Sequence, residues 1–112
     1  MSTNFSLGSG TASCTGTGGT STATLANRFG KLTTAALTTA AAGVHVITLT
    51  NTQVKASDIA FASVALGTAT TGEPVVTNIA CGSGTLVITV KNVAAAAAVN
   101  GTLVVSYMAF GA

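Results

Sequence analysis

Residues 44–51, VHVITLTN, decide how this chain is read. The stretch is rich in β-branched residues, Ile47 and Leu49 fall on one face if it is extended, and Asn51 closes it, so it reads as a strand. The same texture recurs downstream in short bursts: IAFASVAL at 59–66, ended by Gly67, then residues 75–80, LVITV at 86–90 and LVVSYMAF at 103–110. Upstream, a weaker candidate spans residues 28–37.

Turn chemistry sits between the bursts. Gly72, Glu73 and Pro74 interrupt the chain before Val75, a Gly-rich joint at 81–84 links two candidate strands, and Asn100-Gly101 suits a tight turn with positive φ before the last one. The alanine run at 94–98 has high helix propensity. It is too short to pay for helix nucleation and is flanked by Val93 and Val99, so it is expected as extended or looped chain. Strands recurring about every ten residues, with no helical pattern long enough for a crossover, predict an all-β fold. The expectation is a compact β-sandwich or jelly-roll-like domain of about six to eight short antiparallel strands, covering residues 25–112.

Residues 1–24, MSTNFSLGSGTASCTGTGGTSTAT, have a different composition, with Phe5 and Leu7 as the large apolar residues among Gly, Ser and Thr. No hydrophobic period is visible in them, and they are expected as an extended N-terminal arm, either laid across a neighbouring subunit with Phe5 and Leu7 as anchors or left as a flexible tail.

Four basic and two acidic side chains, Arg28, Lys31, Lys55, Lys91, Asp58 and Glu73, carry all the charge in 112 residues. A freely diffusing domain ordinarily shows several times that density, which points to a surface covered by other protein. The basic residues are scattered, so nucleic acid is not an expected partner. The longest apolar run, at 93–99, falls far short of the about 20 residues that span a bilayer, and a membrane is not expected either. Residues 1–6 lack the basic and apolar pattern of a secretory signal, so synthesis and assembly in the cytoplasm are expected. In that compartment a Cys14–Cys81 disulfide is disfavoured, and the two cysteines read as small apolar residues.

Titratable groups suited to acid–base work are few: His45, Asp58, Glu73, Tyr107 and the two thiols. His45 lies among valines in a strand, where a packed or surface histidine is the simpler reading than a base. Two widely spaced cysteines make no zinc site, and the acids are too few for a calcium cage. Gly16-Thr17-Gly18-Gly19 lacks the strand and helix of a phosphate-binding loop. The chain is expected to be no enzyme and to use no cofactor. Phe61, Tyr107 and Phe110 are expected as core or subunit-interface anchors, and Arg28, Lys31, Lys55 and Lys91 as solubilising charges or as steering groups for an acidic partner.

The stretch KLTTAALTTAAAG (31–43) leading into VHVITLTN, followed by IAFASVALGTATTGEPVV (59–76) and LVITVKNVAAAAAVNGTLVVSYMAF (86–110), resembles small structural proteins of tailed bacteriophages. Within that group the size is most similar to head decoration, or cement, proteins. The resemblance implies a β domain that sits as a dimer or trimer on the capsid exterior, binds the major capsid protein and braces the shell, with no catalytic residues. Phe5, Leu7, Arg28, Lys31, Tyr107 and Phe110 are the expected partner contacts. Two other roles fit the same texture: a tail or short-fibre attachment module that binds a host surface, and a self-polymerising β-rich surface protein.

Overall fold

The computed structural model describes residues 10–111, and among them it contains eight strands and no helix. These are β1 (Gly10–Ser13), β2 (Thr20–Thr24), β3 (Phe29–Thr33), β4 (Val44–Thr50), β5 (Ile59–Leu66), β6 (Pro74–Gly82), β7 (Thr85–Asn92) and β8 (Leu103–Phe110). Sheet I has the order β1-β3-β8-β5 and sheet II the order β2-β4-β7-β6. The expected all-β sandwich is therefore present.

The stretch that reads most clearly as a strand sits at the centre of sheet II. In β4 the side chains of His45, Ile47 and Leu49 point inward and are buried, while Val46, Thr48 and Thr50 point out. Leu86, Ile88, Val90 and Asn92 of β7 and Leu103, Val105, Tyr107 and Ala109 of β8 alternate in the same way. Leu32, Ile47, Leu49, Leu86, Ile88 and Val105 have no exposed surface, and each such side chain contributes about 1.5–3 kcal/mol through burial. The joint between β6 and β7 is a two-residue hairpin of Ser83 and Gly84, with Gly84 at φ +80°. The alanine run is irregular chain, as its length predicts.

Two features differ from the sequence expectation. Residues 10–24 are not an arm: β1 pairs with β3 and β2 with β4, burying Cys14, Ser21 and Ala23 inside the sandwich. Their two-residue alternation is real but is written in Thr, Ser and Ala, which carry almost no hydrophobic contrast. Both pairings are also parallel, so the sheets are mixed and not antiparallel throughout. A strand joining the edge of one sheet can pair in parallel because the intervening chain crosses to the other sheet and back. Phe5 and Leu7 lie outside the described residues.

Buried asparagines organise the loops at the two ends. Asn92 Nδ2 donates to the carbonyls of Thr39, Ala40 and Ala97 at 2.9–3.3 Å, and its Oδ1 accepts the amides of Glu73 and Ala94. At the opposite end Asn51 Nδ2 donates to Asn27 O at 2.7 Å and to the Tyr107 hydroxyl at 3.3 Å. Gly101 is not the positive-φ turn residue its Asn-Gly context suggests. A Cβ there would lie 2.7 Å from the Ala69 amide nitrogen, so glycine is required by close backbone approach.

Candidate docking surface

Strand register assembles the site. Phe29 of β3 stands opposite Met108 of β8, which stands opposite Phe61 of β5, and in the next row Phe110 stands opposite Ile59. All five side chains project from the outer face of sheet I. Phe61 is 58% exposed, Ile59 54%, Phe110 41% and Met108 40%. The Phe29 and Phe110 rings meet edge to face at 5.4 Å between centroids, and Phe61 and Phe110 at 6.4 Å. Three of the chain's four phenylalanines thus form one solvent-facing cluster.

Beside this cluster the side chains become small. The following row is Lys31, Ser106 and Ser63, and the one beyond it Thr33, Val104 and Ala65. The drop in size leaves a shallow groove of about 200 Å³ lined by Phe61, Ser63, Ser106 and Met108. A second recess of about 340 Å³ lies where β5 runs beside β6, with Phe61, Ala62, Val76 and Thr77 in its walls. Phe61 therefore stands as a ridge between two hollows.

Of the side chains expected at a partner contact, Phe110 and Lys31 are exposed on this face. Arg28 lies at its edge but is engaged: its guanidinium pairs with Asp58 at 3.0 Å and donates to the Ala109 carbonyl at 3.3 Å. The Asp58 carboxyl is held below its usual range by the Lys55 backbone amide, and further by Arg28. Tyr107 is a correction. It is 3% exposed and points into the core, because residues 107 and 110 in one strand face opposite ways. Its hydroxyl donates to Asn27 O at 2.6 Å, and burial pushes its pKa up.

Sequence reasoning missed Phe29, Met108 and Ile59 as members of this surface. Each is an ordinary strand residue alone, and only the β3-β8-β5 pairing gathers them. It also missed Ser21, which lies on the buried face of the edge strand β2.

The reactive-looking groups are elsewhere: Ser21, His45 and Cys14 are buried and Cys81 is half-buried. Ser21 Oγ donates to Gly16 O at 2.9 Å, so the 2.5 Å contact between Ser21 Oγ and His45 Nε2 is a bond donated by the imidazole. His45 Nδ1 is then a buried lone pair with no partner, and burial lowers the His45 pKa. Ser21 and His45 are each 1% exposed, so their bond ties β2 to β4 inside the sandwich. Cys14 and Cys81 are free thiols whose pKa values are raised by burial, which disfavours the reactive thiolate. Among the described residues no three His, Cys, Asp or Glu side chains are grouped as metal ligands would be, and no helix is long and apolar enough to cross a membrane.

No protein-family model, curated protein or solved structure matches the chain.

Proposed function

We propose that this is a structural protein that works by apposing its surface to other protein, and that its setting is the exterior of a phage head, where it acts as a decoration protein bound to the major capsid protein. The observation that carries the first step is the outer face of sheet I, where Phe29, Phe61, Phe110, Met108 and Ile59 face solvent on a domain with very few charges. Such a patch costs solubility unless it is covered, and its rigid rings lose little conformational entropy when a partner arrives. The second step is supported by the resemblance of residues 31–110 to small phage structural proteins, and by a surface poor in charge that costs little to desolvate in large contacts.

The test is to add the purified chain to phage heads assembled without it and to measure co-sedimentation together with resistance to heat and osmotic shock. Saturable binding with a gain in resistance is the expected result. Heads that bind none of the chain, or bind it and burst under the same conditions as bare heads, overturn the decoration role.

A further inference from the structure

The outer face of sheet I carries a ridge beside a hollow. Phe61 is the most exposed large apolar side chain among the described residues, and directly beside it lies the groove lined by Ser63, Ser106 and Met108. A protrusion adjoining a hollow of similar size on one flat face meets the requirement of an isologous contact, in which residue i of one copy touches residue j of the other and the reverse. A two-fold axis lying in the interface between ridge and groove brings each Phe61 ring into the groove of the opposite copy. Charge does not oppose the pairing, since Lys31 is the one charged side chain among the outward residues of β1, β3, β8 and β5.

We infer that two copies of this chain dimerise through the outer faces of their sheets I, with each Phe61 seated in the partner's groove between Ser63, Ser106 and Met108. This rests on the reading of that face as a docking surface and names its occupant as a second copy. Size sets the strength. Strands about 4.8 Å apart, eight residues long in β5 and β8 but four in β1 and five in β3, give a face on the order of 400 Å², about half the 800 Å² per partner of a standard stable interface. The dimer is therefore concentration-dependent, not permanent.

Light scattering of the full chain across a hundredfold concentration range tests this, alongside the variants Phe61→Ser and Ser63→Lys and a parallel measurement of head binding. Wild type is expected to rise from monomer to dimer mass and stop there. Phe61→Ser removes the ring that fills the groove, and Ser63→Lys places an unpaired ammonium in it. Each is expected to raise the dimer dissociation constant about 30-fold or more, the size of an interface hot spot. Circular dichroism melts of dilute variants show whether they are folded, and Ser63→Lys adds a lysine to an edge strand, a substitution that natural edges tolerate. A wild-type chain that stays monomeric, a dimer unaffected by both substitutions, or growth past a dimer overturns the inference. If the chain is monomeric yet Phe61→Ser abolishes head binding, the face is a docking surface for the capsid, and only self-pairing falls.

Discussion

The two outer faces of the sandwich are built on the same alternation and differ in the size of the apolar side chains they expose. Sheet I shows Phe29, Phe61, Phe110, Met108 and Ile59, concentrated where β3, β8 and β5 meet. Sheet II shows mostly hydroxyls: Thr20, Thr22 and Thr24 of β2 lie beside Val46, Thr48 and Thr50 of β4, which oppose Thr89, Val87 and Thr85 of β7, and its exposed apolar residues are the smaller Val44 and Val75, which flank Lys91. Each face carries one lysine, Lys31 on sheet I and Lys91 on sheet II, so charge does not distinguish them. Threonine does. It favours strand conformation as well as valine does yet leaves a hydroxyl for water, so sheet II stays hydrated without long charged side chains. A domain with one adhesive face and one hydrated face closes on a single partner, whereas two adhesive faces would favour open-ended growth.

The largest effects separate inside from outside. Ile88, on the buried side of β7, has no exposed surface, and Ile88→Ala is expected to cost about 2–5 kcal/mol in chemical denaturation. Next comes Asn92, also buried, whose side chain holds three loops at one end of the sandwich. Asn92→Ala leaves the Glu73 and Ala94 amides without an acceptor and is expected to cost about 2–3 kcal/mol, with faster hydrogen exchange in residues 93–99. If Asn92→Ala were silent, these loops would be held by their backbone contacts alone, and the ends of the sandwich would matter less than its faces.

How much of this contrast was legible follows from side-chain size. The strands β4, β7 and β8 announce themselves because Ile47, Leu49, Leu86, Ile88, Leu103 and Val105 stand out from their neighbours. β1 and β2 do not, since GTAS and TSTAT alternate between residues of nearly equal size. The parity of Tyr107 and Phe110 was available in the sequence and is enough to place one inside and the other outside. The aromatic cluster was not available, because Phe29, Phe61 and Phe110 come from three strands whose pairing order no local pattern specifies. The Arg28–Asp58 ion pair is hidden for the same reason.

Acid sharpens the comparison between sheets. His45 is the only histidine, sits on the buried face of β4 in sheet II, and has its pKa lowered by burial. The folded state therefore takes up a proton less readily than the unfolded chain, whose histidine titrates near about 6.5. Stability is unaffected above that value and falls as pH drops below it, by at most about 1.4 kcal/mol per pH unit, until the folded pKa is reached. His45→Gln keeps a donor toward Ser21 and is expected to remove this slope between pH 7 and 5. Hydrogen exchange at pH 5 is expected to rise in β2, which Ser21 ties to His45, before it rises in β1. Equal slopes in wild type and variant would detach His45 from acid sensitivity.

The smallest expected change in stability is at the residue proposed to matter most for association. Phe61 has the volume of a core side chain, but more than half of its surface is in water and its ring meets only the edge of the Phe110 contact. Burial energy scales with the area removed from solvent, so Phe61→Ser in the dilute monomer should cost about 1 kcal/mol or less, mostly strand preference and the lost ring contact. Ile88→Ala and Phe61→Ser, melted side by side at low and high concentration, give the cleanest separation of the two roles. Ile88→Ala lowers stability at both concentrations by the same amount, because its interactions lie within one copy. Phe61→Ser is nearly silent when dilute and costs more as concentration rises, because wild type alone gains stability from pairing. A large loss for dilute Phe61→Ser would mean that the aromatic cluster on sheet I serves the fold, and the difference between the two faces would be one of packing and not of partnership.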